Sequence, residues 1–144
     1  MMRRAILACI GAAVIAQPAL AEIGRVKRAS GAASVERGKV RLTPSAGFQL
    51  EQGDMLVTGK DGQISLSFID DTRFSVGPNS RISIDQFDYS RTSQTGNFVT
   101  RVNRGSLAVV SGQIAHSKRD AMKVRTPTSL LGVRGTRFIV DVPK

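Results

Sequence analysis

The side chains in this chain that could do chemistry are one histidine, scattered serines, a set of aspartates and an arginine framed by glycines. His116 has no histidine partner and stands beside Lys118 and Arg119. A zinc site there would need three further ligands, all from carboxylates, and no spacing provides them. Ser45, Ser106 and Ser111 lack the sequence surroundings of a nucleophile elbow. A glycosidase needs two carboxylates on opposite sides of a bond, and Asp70 and Asp71 would project to opposite faces of a continuing strand. The glycines are dispersed and none opens a helix, so no nucleotide cradle is expected. The chain reads as a non-enzyme without a cofactor or a metal site.

Two features remain to be explained. Asp54, Asp61, Asp70, Asp71, Asp85 and Asp88 fall at or near turns. Their spacing is too sparse for a calcium loop, whereas aspartate commonly serves a turn by accepting nearby backbone amides. Structural use is the expectation. In Gly132-Val133-Arg134-Gly135-Thr136 the two glycines fit corners between short strands. The fork of Arg134 suits bridging carboxylates or carbonyls, or holding an anion. With no catalytic set beside it, Arg134 is expected to fasten strands together.

The elements that must position these residues are almost all strands. In Gln63 to Phe68, Ile64, Leu66 and Phe68 alternate with polar residues. Thr72 to Val76 repeats the pattern with Phe74 and Val76 inward, and Arg81 to Asp85 repeats it with Ile82 and Ile84 inward. Strong turn signals separate them at Gly59 to Gly62, Asp70-Asp71 and Gly77-Pro78-Asn79. Phe87 to Gly96 reads as a long loop or distorted hairpin, and Arg104-Gly105 as a break between strands. Pro127 ends the strand carrying Met122 and Val124, and Val133 to Val142 reads as a last pair of short strands. Short strands with frequent turns predict an all-β domain, a roll or sandwich of mostly antiparallel strands. A short solenoid-like stack is the alternative, without a clean sequence repeat to support it.

The N-terminus reads as an export signal. Met1 to Arg4 is basic, Ala5 to Ala16 is apolar, and Ala19-Leu20-Ala21 precedes Glu22. The domain division is therefore a signal peptide over 1–21 and a β domain over 22–144, placed in the periplasm or secreted. The apolar run is too short to span a bilayer comfortably, so no transmembrane segment is retained. The only cysteine, Cys9, lies inside that run, so the mature domain has no disulfide and its core must supply the stability. The formal charge of the whole chain is +10, from 21 basic and 11 acidic residues. That balance favours acidic partners such as anionic lipid, acidic glycan or acidic protein. Export argues against nucleic acid, and the scarcity of flat aromatic residues weakens base stacking.

A series of ordered motifs resembles the FecR-like domain of membrane-bound regulators of iron-complex uptake. They are Leu50-Glu51-Gln52-Gly53-Asp54 through Gly59, Leu66 through Thr72, and Val76-Gly77-Pro78-Asn79-Ser80. Asn103-Arg104-Gly105-Ser106-Leu107, Val124-Arg125-Thr126-Pro127-Thr128 and Gly132 through Phe138 follow. The resemblance implies a non-catalytic extracytoplasmic β domain used in signalling or as an accessory module. It marks Gly53, Asp54, Gly59, Gly105, Pro127, Gly132, Arg134, Gly135, Thr136 and Phe138 as structural positions. The chain reads as a stand-alone exported form, without the cytoplasmic segment and membrane span of the founding regulators.

Three functions follow as expectations. The first is binding of an envelope protein, with Arg73, Arg81, Lys123, Arg125 and Arg137 as outward contact residues. The second is binding of an acidic glycan or anionic lipid through diffuse charge. The third is self-association through an open sheet edge; the sequence leaves the oligomeric state open.

Overall fold

The computed structural model describes residues 13, 22–135 and 137–143. Apart from residue 13, the expected signal peptide, with Cys9 and the cleavage site after Ala21, lies outside the described residues, as does Thr136.

The described chain is all-β apart from one helical turn. In order it runs β1 (Gly24–Ser30), β2 (Ala33–Arg37), β3 (Val40–Leu42), β4 (Gln49–Leu50), β5 (Met55–Thr58), β6 (Gln63–Phe68) and β7 (Arg73–Val76). There follow β8 (Arg81–Ser90), β9 (Thr95–Val110), α1 (Gln113–Ser117), β10 (Met122–Arg125), β11 (Leu130–Val133) and β12 (Arg137–Val142). All pairings are antiparallel except that of β10 with β9.

The strands make one sheet that curls over on itself, and β9 belongs to both layers. One layer runs β4-β1-β6-β7-β9-β12; the other runs β3-β2-β5-β8-β9-β10-β11. The first part of β9 lies between β8 and β10, and the part from Gly105 to Val110 lies between β7 and β12. This is the expected roll, and the solenoid-like alternative is not what forms. The segments at 63 and 73 make a hairpin in one layer, while the segment at 81 joins the other.

Alternation placed the core correctly. Ile64, Leu66, Phe68, Phe74, Val76, Ile82 and Ile84 are all buried. Phe68 and Phe74 from one layer meet Phe87 and Phe98 from the other. The Phe68 ring lies 4.7 Å from Phe98 and 5.4 Å from Phe87, centroid to centroid. The Phe68–Phe98 contact is edge-on and the Phe68–Phe87 contact is stacked, and aromatic pairs of either kind add about 0.5–1.5 kcal/mol each beyond the area they bury. With no disulfide among the described residues, this aromatic cluster holds the layers face to face.

Of the two readings of residues 87–96, the hairpin is what forms: β8 and β9 pair out to Ser90 and Thr95, leaving only Arg91 to Gln94 as the turn. Three other local expectations are corrected. Arg104-Gly105 is not a break, because β9 runs through it with Gly105 at φ +88°. Gly132 is not a corner but a strand residue opposite Lys123, where a Cβ would run into the Asp120 side chain. The last two strands are not a pair, since β11 returns to β10 and β12 crosses to β9.

The turn at Asp70-Asp71 shows why its aspartates are there. Asp71 adopts φ +71°, a left-handed conformation that aspartate tolerates better than most residues. The fully buried Asp70 carboxylate accepts from the Thr72 amide at 3.1 Å, the Thr72 hydroxyl at 2.8 Å and the Ile114 amide at 3.2 Å. Its carbonyl accepts from the Gln113 amide at 2.8 Å. Asp70 thus ties the β6–β7 turn to the start of α1. Asp70→Ala leaves two buried amides unsatisfied, at about 1–3 kcal/mol each. The expected loss is about 3 kcal/mol by urea unfolding, with Asp70→Asn losing less because its amide oxygen still accepts.

Candidate functional site

The motifs are far apart in sequence and meet inside the fold. Thr58-Gly59, Gly77-Pro78-Asn79-Ser80 and Gly105-Ser106 form one hydrogen-bonded knot where the layers join. The Thr58 hydroxyl donates to the Gly77 carbonyl at 2.6 Å and accepts from the Ser80 amide at 2.9 Å. The Ser80 hydroxyl donates to the Pro78 carbonyl at 3.1 Å and accepts from the Ser106 amide at 3.0 Å. The Gly59 carbonyl accepts from the Asn79 amide, and the Ser106 carbonyl accepts from the Gly77 amide, each at 3.0 Å. Gly105 packs so closely on Ser80 that a Cβ would overlap its backbone. Its positive φ and that approach both require glycine.

A second knot holds Gly53 and Asp54 against an irregularity in β8. The register of β8 on β9 shifts between Ile84 and Gln86. At that point the Ile84 carbonyl accepts from the Gly53 amide at 2.7 Å, and the Asp54 carbonyl accepts from the Ile84 amide at 2.9 Å. Gln52 accepts from the Phe87 amide at 2.9 Å. The Asp54 side chain is fully buried and faces Arg37. Both guanidinium nitrogens in contact, Nε and Nη2, lie 2.9 Å from Asp54 oxygens. Arg37 also donates to the Gln49 carbonyl, approaches Glu51 at 3.3 Å and lies over the Phe48 ring at 5.5 Å. Its hydrogen bonds to Asp54 push the guanidinium above its ordinary value, although burial works the other way.

The fastening arginine is therefore Arg37, a residue sequence reasoning missed. Nothing around Ser34-Val35-Glu36-Arg37 singles it out, because its partner is 17 residues away across a turn. Arg134 is exposed and makes no hydrogen bond or ion pair among the described residues. Gly135 sits at the bend before β12, its carbonyl accepting from the Ser111 hydroxyl. Pro127 occupies the β10–β11 turn, closed by the Thr126 amide on the Ser129 carbonyl at 2.9 Å. Phe138 is half-buried against the core.

Three more of the turn aspartates are engaged structurally. Asp61 accepts from the Ala32 amide at 3.1 Å, and Asp85 accepts from the Ser83 hydroxyl at 2.7 Å and approaches Arg101 at 3.3 Å. Asp88 accepts from Gln86 at 2.8 Å. Among the described residues no three histidines, cysteines or carboxylates gather as a metal ion would need.

The five outward cations do not share one surface. Arg73 and Arg137 flank Val110 on the outer face of the β4-to-β12 layer, since both stand opposite that residue. Lys123 and Arg125 lie on the outer face of the other layer, with Arg125 between Arg101 and Leu130 in register. Arg81 is bound to Glu36 at 2.9 Å, and that hydrogen bond is the main reason the Glu36 carboxyl titrates below its ordinary value. Of these five, Arg73 and Arg137 on one face and Lys123 and Arg125 on the other have no ion-pair partner among the described residues.

Three substitutions separate framework from surface. Arg37→Ala strands the buried Asp54 charge and is expected to cost about 2–4 kcal/mol by chemical unfolding, whereas Arg134→Ala should stay within about 0.5 kcal/mol of the parent. Ser80→Ala removes the acceptor for the Ser106 amide and is expected to cost about 1–3 kcal/mol in the same assay.

Comparison with known proteins agrees with this framework. No curated protein and no solved structure matches the chain. A family model described as FecR protein matches residues 54–144, which takes in both knots from Asp54 onward and every strand from β5 to β12. The match covers well over half of the sequence, and the chain belongs to the FecR protein family.

Proposed function

We propose that the chain is a non-catalytic extracytoplasmic module that binds a protein partner in envelope signalling or assembly. Membership of the FecR family over residues 54–144 carries this reading. The buried polar groups of its motifs are spent on internal hydrogen bonds. No buried side-chain nitrogen or oxygen among the described residues is left without a partner. Contact chemistry therefore falls to the outer faces. In the proposed working form residues 1–21 have been removed and the domain acts in the periplasm or outside the cell. Among the described residues no helix is long and apolar enough to cross a membrane.

The face bearing Lys123 and Arg125 is the proposed contact. Arg125 stands beside Arg101 and the exposed Leu130, so cationic and apolar groups lie together. That mixture suits an acidic protein surface with an apolar centre. A second reading, an acidic glycan or anionic lipid, draws support from the net charge of +10. A third, self-association, draws support from the open edge of β12, which pairs with β9 alone among the described residues.

The test is in-cell crosslinking in the native host, comparing the parent with Lys123→Glu/Arg125→Glu. One dominant captured protein, lost in the double variant at unchanged thermal stability, is the expected result. Capture that is indifferent to both substitutions removes this face from the proposal. Retention of lipid or glycan that disappears with added salt moves the assignment to diffuse anion binding.

A further inference from the structure

We infer that β12 is a self-complementary edge, and that two copies of this chain pair through it antiparallel, with Ile139 opposite Ile139 of the second copy. The inference deepens the self-association reading and is independent of the Lys123–Arg125 face.

The argument starts from what β12 leaves open. It bonds to β9 along Arg137 to Val142, and no other strand pairs with it among the described residues. An unpaired strand edge offers backbone donors and acceptors to any strand that can match it. Ile139 is 74% exposed, more than any other large apolar side chain among the described residues. It shares the outer face with Arg137 and Asp141, because strand side chains alternate. Both charges are exposed, and neither has an ion-pair partner among the described residues.

The order of these residues selects one arrangement. Arg137 lies two positions before Ile139 and Asp141 two positions after it. In an antiparallel pair centred on Ile139, each Arg137 faces Asp141 of the second copy and the two isoleucines cover each other. On the inner face, Phe138 then meets Val140 of the second copy. Phe138 is only half-buried within one copy, so the added strand extends the core over it. Parallel pairing would set Arg137 against Arg137, and like charges directly opposite are unfavourable. A slip of two residues would put Ile139 opposite a charge.

The resulting interface is two-fold symmetric and closes on itself, as an isologous contact must. It also joins one layer of each copy into a single sheet running unbroken from β4 to β4. By contrast β11, the edge strand that ends the other layer beside β10, has Leu130, Leu131, Gly132 and Val133 and no charge to set direction or register.

The experiment is sedimentation equilibrium of the purified chain across a range of concentration. A reversible monomer–dimer mass is expected. Arg137→Asp and Asp141→Arg each place like charges opposite one another twice per dimer and should weaken the dissociation constant about tenfold or more. The combined exchange, Arg137→Asp/Asp141→Arg, restores opposite charges and should bring it back to within about threefold of the parent. Thermal unfolding of each variant at concentrations too low for pairing should match the parent, which separates lost pairing from lost folding. In a Cys9→Ser background, Ile139→Cys should crosslink two copies under mild oxidation. A mass that stays monomeric at every concentration overturns the inference, and so does a dimer indifferent to both single reversals. A dimer in which Ile139→Cys fails to crosslink overturns the register. None of these results bears on partner capture by the Lys123–Arg125 face, which is read by crosslinking in the host.

Discussion

The close approach of Gly105 to Ser80 is the constraint on which the rest of the structure depends. The strand β9 serves both layers, so the chain must change layer in mid-strand without losing backbone pairing. A positive φ at Gly105 makes the bend, and the absence of a side chain lets Ser80 move against it. The Ser80 hydroxyl then takes up the Ser106 amide, and Thr58 takes up the Ser80 amide. Those exchanges leave the join between layers without an orphaned donor among these groups, where a regular strand would have kept its ladder. The aromatic core can close across the two layers only because this join holds them at a fixed spacing.

Burial of carboxylates follows the same logic. Asp54 and Asp70 are both fully buried, which is costly for a charge unless it is well partnered. Each is surrounded by donors that come from separate parts of the chain. Asp70 gathers a turn and the start of α1 through backbone amides, while Asp54 gathers β2 through Arg37 and its own turn through the Glu51 amide. Family motifs in this chain thus record the positions where irregular backbone had to be satisfied internally. They say little about what the outer faces touch.

Much of the architecture was legible because strand alternation is local. Ile64, Leu66 and Phe68 declare an inner face within six residues, and no distant information is needed to bury them. The turn roles of Asp54 and Asp70 were legible for the same reason, since the chemistry of aspartate at turns acts over two or three residues. The destinations of strands were not legible. Nothing in Arg81 to Asp85 distinguishes a strand that joins β7 in its layer from one that joins β5 and β9. Gly105 reads as a break for the same reason: whether a glycine ends a strand or bends it depends on what packs beside it. Arg134, framed by glycines, drew attention that belonged to Arg37, whose importance arises from a carboxylate brought to it by folding. The division of the outward cations between two faces was equally invisible, because it depends on which layer each strand enters.

The place of β9 in the chain has a kinetic consequence. Strands before residue 95 can form β6–β7 and β2–β3 hairpins from neighbours in sequence, yet the two layers share no strand until β9 arrives. Its parallel partner β10 must then return past α1 before pairing, which is a non-local closure of the kind that slows folding. A chain appearing N-terminus first therefore holds half-built layers with their apolar faces uncovered until roughly its last third is present. Such half-built layers, with unpaired edges and open apolar faces, are the species in which a folding chain is most exposed to aggregation.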